Sequence, residues 1–462
     1  MTRRHCCHHH TLHHHHTLHH HQPPHLTTSP PHLQALYEYA AAAGASFVPF
    51  VQPVAERAAA EVEYKYHPSV REAAAHALAG CYRALVVAAR AGPPITGEHV
   101  GQLLGALMKP LATALNHERE AAAADAMLDV FHDVLRFERE TPLGVLQPTT
   151  LNAIVGLVKK QLEEDGKRTA ERRQAAADDD DDDEPDEDEL EAEFNLLSTA
   201  GACVREILKI GGAQALPTLE TQLMPHINGW MAELSDDAHR SLALVAYADL
   251  IELAGKENMK KVVPPVLNTA LRLATVATAD ARLRQAAASA VGAAAEHAGK
   301  LLNRNAAAEA ARALVAIVTA ADAKCAANVG ASETAALAIG KLVVHRGAAL
   351  GAAAQESLQT FLEWLPLRSE DEEAQAATRC LTALIDADAA TVMGADGANF
   401  PRVLAAVAAA LEADSTGDEL TAKLRAMVKA WHAADAARLA AGAAALPQPA
   451  LREKVERAVA AA

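Results

Sequence analysis

The sequence predicts an all-α chain built as an α-solenoid, and three observations carry that prediction. Hydrophobic residues fill 50% of the 462 positions but aromatics only 3%, so Ala, Leu and Val must do the packing. Ala is the best intrinsic helix former, and small side chains let helices approach closely. No stretch alternates apolar and polar residues with β-branched enrichment, so strands have no support. From Pro31 onward, helical segments of about 15 to 20 residues alternate with short breaks, the rhythm of a two-helix repeat.

Residues 1–30 stand outside the array. Twelve histidines by His25, with Cys6 and Cys7 and a closing Pro/Ser/Thr cluster, describe a low-complexity tail that is expected to be disordered. It lacks an apolar h-region, so it is not a secretory signal. His and Cys could bind Zn or Ni, but nothing here imposes a fixed ligand geometry. A mis-assigned start of translation is the other reading of this segment.

The first helix of each pair is expected near Pro31, Pro68, Glu118, Leu190, Asp237, Asp280, Ala331, Asp371 and Glu419. That makes about nine HEAT-like pairs, over residues 31–177 and 190–462, with most spacings near the roughly 40 to 47 residues of HEAT or armadillo units. Two stretches share a signature: His67-Pro68-Ser69-Val70-Arg71-Glu72-Ala73-Ala74 and Asp280-Ala281-Arg282-Leu283-Arg284-Gln285-Ala286-Ala287. Each has a turn or cap residue, an apolar-Arg pair, then small residues. Asp280 can accept the free N–H groups of its helix start. Leu283, Ala287, Ala290, Val291 and Ala294 fall on one helix face. Second helices open with Pro among apolars at Phe47-Val48-Pro49, Leu216-Pro217 and Val262-Val263-Pro264-Pro265, since the first turn tolerates a missing N–H. Such a stack has a curved body with a long concave face, better suited to a macromolecule than to a small substrate.

The long gap between Glu118 and Leu190 holds an acidic run, Asp178 to Glu193, with thirteen acidic residues and no base. Net charge is -17, so the acidity is largely local. Asp178, Asp179, Asp180, Asp181, Asp182, Asp183, Glu184, Asp186, Glu187, Asp188 and Glu189 are read as a solvated, disordered loop, because like charges repel and bury no apolar surface. Its contacts should be with basic segments and should weaken with salt. Lys159, Lys160, Lys167, Arg168, Arg172 and Arg173 adjoin it, as a solvated helix end that neutralises the loop or as a basic partner site.

Several function classes fall away. No P-loop, dinucleotide fingerprint, H-E-x-x-H or G-x-S-x-G is present, so neither an enzyme nor a cofactor is supported. The acidic balance argues against direct nucleic-acid binding. The Ala-rich stretches are broken by charges, so membrane insertion is not expected. Cys81, Cys203, Cys325 and Cys380 are scattered singly, which fits a reducing compartment. Trp230, Trp364 and Trp431 are either core packing or, at Trp230, part of a cargo-binding face with Glu220, Asn228 and Glu233. There the indole would receive Lys or Arg stems and the carboxylates would take their charge.

The C-terminal third is more specific. Asn328-Val329-Gly330-Ala331-Ser332-Glu333-Thr334 with Ala338-Ile339-Gly340-Lys341, then Trp364-Leu365-Pro366-Leu367 with Glu370-Asp371-Glu372-Glu373-Ala374, then Val392-Met393-Gly394 with Asn399-Phe400-Pro401-Arg402-Val403, resemble segments of importin-β3 type nuclear transport receptors of the karyopherin-β family. The resemblance runs from about Leu33 to the C-terminus and corresponds to the C-terminal half of such receptors. It implies a receptor fragment that shuttles between cytoplasm and nucleus, binding basic protein cargo, the Ran GTPase and nucleoporins. The family places its principal Ran site in N-terminal repeats, so autonomous import is not expected. A static HEAT scaffold or regulatory subunit of a protein complex is the alternative.

Overall fold

The computed structural model describes residues 30–178, 187–231, 236–253, 255, 258–275, 280–369, 371–411 and 417–460; among these there are helices and no strand. The His-rich tail lies outside the described residues.

Nine helix pairs follow one another among the described residues. The first five are α1 (Pro30–Ala43) with α2 (Val48–Glu61), α3 (Pro68–Ala91) with α4 (Gly97–His117), α5 (Ala121–Glu140) with α6 (Pro148–Asp178), α7 (Glu187–Gly211) with the short α8 (Leu216–Gln222) and α9 (Met224–Trp230), and α10 (Asp237–Leu253) with α11 (Met259–Ala274). The remaining four are α12 (Ala281–His297) with α13 (Arg304–Val318), α14 (Val329–Leu350) with α15 (Ala353–Trp364), α16 (Asp371–Met393) with α17 (Phe400–Ala410), and α18 (Asp418–Ala434) with α19 (Ala436–Ala444) and α20 (Pro449–Ala460). Every first helix begins within three residues of its expected start.

The pairs form two layers. α1, α3, α5, α7, α10, α12, α14 and α16 pack in sequence along one layer. On the other, α2 meets α4, α4 meets α6, α6 meets α9, and α11, α13, α15 and α17 follow one another. Each pair touches mainly its neighbours, which is the solenoid logic. The expected face of α12 is inside: Leu283, Ala287, Ala290, Val291 and Ala294 are each at most 1% exposed. Asp280 caps that helix, accepting from the Arg282 N–H at 2.6 Å. Close approach shows at Gly340, where an added Cβ would lie 2.7 Å from the Phe361 ring.

Two expectations are corrected. Pro264 and Pro265 do not open α11; they lie inside a helix that starts at Met259. Both are exposed, so water can take the carbonyls that their missing N–H groups leave open. The acidic segment is also shorter than residues 178–189. α6 runs through Asp178, and Glu187, Asp188 and Glu189 form the first turn of α7. Carboxylates there complement the positive end of the helix dipole. Residues 179–186, namely Asp179, Asp180, Asp181, Asp182, Asp183, Glu184, Pro185 and Asp186, lie outside the described residues.

The apolar interior passes from one core to the next at α10, with Met231, Tyr247 and Val262 packed against both. Ala243, Ala246 and Leu250 join the N-terminal core, whereas Leu244, Ala248 and Ile251 join the C-terminal one. A smaller satellite core gathers Tyr82, Leu85, Val86, Val100, Leu104 and Val134 under α3 to α5.

Candidate functional site

Trp230 ends α9 and is only 8% exposed. Its indole Nε1 donates to Asp165 Oδ2 at 3.2 Å, and its ring lies 5.7 Å from that of His239. Asp165, on α6, is 1% exposed. His239, in the first turn of α10, faces Asp165 through Nε2 at 3.2 Å and Asp236 through Nδ1 at 2.8 Å. Burial alone would lower the His239 pKa, but the bonds to Asp165 and Asp236 outweigh it and raise it to about 9. Burial likewise pushes Asp236 up, yet the His239 bonds prevail and hold it at about 2. The imidazolium is therefore a fixed cation tying α6, α9 and α10 together. A groove of about 270 Å³ opens beside it, lined by Leu162, Thr169, Pro225, His226 and Gly229.

Trp230 is thus a more closed group than the sequence reading made it. What it presents is an edge in the groove, because its N–H is engaged and its ring is packed. Glu220 is exposed on α8 and Asn228 on α9, and Asn228 accepts from the Tyr247 hydroxyl. Glu233 lies outside the described residues. Trp364 and Trp431 are half-buried against the C-terminal core, with Trp431 edge-on to Phe400 at 5.5 Å.

The described side chains of the basic cluster are occupied. Arg168 and Arg172 reach Glu193 at 3.2 and 2.6 Å, and Glu193, the last residue of the acidic run, is 4% exposed. Lys159 pairs with Glu163 and Lys167 with Glu164, while Lys160 donates to the Asn116 carbonyl. Arg168 and Arg172 thus clamp α6 to α7, while Lys160 ties α6 to the end of α4.

The two signature arginines prove to be inter-repeat staples. Arg71 makes a bidentate pair with Glu118 at 2.5 and 2.7 Å, and Arg284 donates to Asn328 Oδ1 at 2.7 Å. Both acceptors stand just before the next first-layer helix. In the C-terminal motifs, Glu333 accepts from the backbone N–H groups of Arg368 and Ser369 at 2.7 Å, and Thr334 donates to Glu373 at 2.7 Å. Lys341 pairs with Glu296 at 2.9 Å. Asn399 donates to the Val392 carbonyl at 2.9 Å across a turn where Gly394 has φ of 74°. These motifs hold successive repeats together. Among the described residues no group of His, Cys, Asp and Glu is placed to hold a metal ion, and no helix is long and apolar enough to cross a membrane.

Comparison with known proteins gives this architecture its context. Residues 117–233 match the family model for Importin repeat 6; that span holds α5 to α9, with Trp230 and the acidic run. The crystal structure of Kap121p superposes with a TM-score of 0.68 at 21% identity, over 93% of this chain and 36% of that one. Kap121p bound to RanGTP gives a TM-score of 0.67 at 20% identity, over 93% and 37%. Kap121p bound to Nup53p gives 0.67 at 20%, over 93% and 36%. The chain spans little more than a third of the length of these structures. Residues 117–233 thus match an importin repeat, within a chain that shares the helical-repeat solenoid fold of the karyopherin Kap121p.

Proposed function

We propose that this chain serves nuclear import: it binds protein cargo on its helical-repeat surface for carriage through nuclear pores under Ran GTPase control, moving between cytoplasm and nucleus. The observation that carries this reading is the importin-repeat match over residues 117–233, lying inside a solenoid that aligns with Kap121p over 93% of the chain. Solved Kap121p complexes contain RanGTP, Nup53p and Pho4p, so the partner classes to test are Ran, nucleoporins and cargo. A karyopherin-like fold belongs to transport receptors and not to an enzyme family, and the reading is of a binding protein. Net charge of -17 favours basic cargo. The face we assign to it includes Glu220, Asn228 and the groove edge of Trp230, with Glu233 following in sequence.

The test is a pulldown by the full chain of a basic reporter peptide, Ran loaded with GTP, and phenylalanine-glycine nucleoporin repeats. Binding of the reporter, with release by Ran-GTP, is the expected result. Failure to bind either Ran-GTP or nucleoporin repeats would leave a static scaffold as the better reading. Because extended surfaces gain affinity from many contacts made together, a chain this short relative to Kap121p should bind cargo more weakly than a full-length receptor.

A further inference from the structure

One part of the second layer carries charge opposite to that of the chain as a whole. α11 contributes Lys260 and Arg272 with no acidic residue, and the adjacent α13 contributes Arg304 and Arg312 against Glu309 alone. Between them lies a cavity of about 440 Å³, lined by Asn268, Arg272, Thr275, Glu309 and Arg312. Both guanidinium groups are exposed, and among the described residues neither makes an ion pair or side-chain hydrogen bond. Thr275 also borders a second cavity of about 300 Å³, so the two cavities meet at that residue. Ser332 lines that second cavity; it is 1% exposed and its hydroxyl has no hydrogen-bond partner. A buried hydroxyl left unsatisfied keeps its desolvation penalty, so a ligand atom that reached it would restore a missing bond.

We propose that these adjoining cavities bind an acidic peptide segment of a partner protein, with carboxylates on Arg272 and Arg312 and a polar side chain on Ser332. Arginine forks match carboxylate geometry, and a charge-assisted bond is stronger than a neutral one. A chain of net charge -17 repels acidic polymers in general, so such binding must be local. This site does not depend on the transport reading, which concerns cargo of the opposite charge.

Fluorescence anisotropy of a labelled peptide alternating Glu with Ser, titrated with the full chain, tests the proposal. We expect salt-sensitive binding that weakens about tenfold or more in the double variant Arg272→Glu, Arg312→Glu. Ser332→Ala should weaken it about threefold, and Arg119→Glu, an exposed change on the α4–α5 turn, should leave it unchanged. Circular dichroism of each variant establishes that the helices are retained. No binding at low salt, no loss in the double variant, or an equal loss with Arg119→Glu would overturn the proposal. So would a gain in affinity when residues 179–183 are replaced by Ser, since the chain's own acidic run would then be the occupant.

Discussion

Asp165 is a carboxylate at 1% exposure, and a buried charge persists only when it is paired and hydrogen-bonded. His239 and Trp230 meet that requirement from residues 74 and 65 positions away, a separation that hides the cluster from any local reading. Only the tryptophan, as a rare residue, drew attention in the sequence. His239→Leu should leave Asp165 without its countercharge and destabilise the fold by about 3–5 kcal/mol, measured by urea unfolding at pH 7. The pH dependence has a definite sign. The His239 pKa is raised from 6.5 to about 9, so its contribution is complete below pH 6.5 and is lost as pH rises through 9. The melting temperature should fall over that window in the native chain, and that component of the fall should be absent from His239→Leu.

Helices were the most legible level, because their starts depend on neighbouring residues. Pro68, Asp237 and Asp371 open helices where the sequence placed them. The limits of the acidic segment were less legible. Charge density alone reads Glu187 to Glu189 as loop, whereas they form the first turn of α7, whose buried face begins at Glu193 and Leu196. The roles of Arg71 and Arg284 were hidden for another reason: a repeated residue signals a repeated task without naming its partner. Arg71→Ala should destabilise by about 1.5–3 kcal/mol, as expected for a partly buried charge-assisted pair, with Glu118→Gln recovering little. Thermal unfolding of both variants measures this. Gly340→Ala should be worse than its single added methyl suggests, costing about 1–3 kcal/mol. The new Cβ would meet Phe361 at 2.7 to 2.9 Å on three ring atoms. A neutral Gly340→Ala, judged by urea midpoint, would mean that α14 and α15 can slide apart freely.

At the scale of the molecule, the composition foretold that small residues would pack the array. It could not foretell where one core would give way to the next, since that depends on which face of a helix meets which neighbour. Charge is the other property of the whole chain. Residues 179–183 add five negative charges to a chain of net -17. Replacing them by Ser and Gly should shift the melting temperature by little while making basic-peptide binding weaker and less salt-sensitive. A large loss of stability in differential scanning calorimetry would show that the run is docked. The change of core at α10 has a mechanical consequence. On one side of that helix its apolar residues belong to the N-terminal core and on the other to the C-terminal core, while polar links such as Arg205–Asp249 at 3.4 Å and His239–Asp165 bridge the junction with α6 and α7. Apolar packing tolerates little displacement, whereas ion pairs can lengthen and be rehydrated. Thermal bending should therefore collect at α10, between two stiffer arms, with amide exchange fastest along that helix, and a partner gripping both arms would set the angle between them.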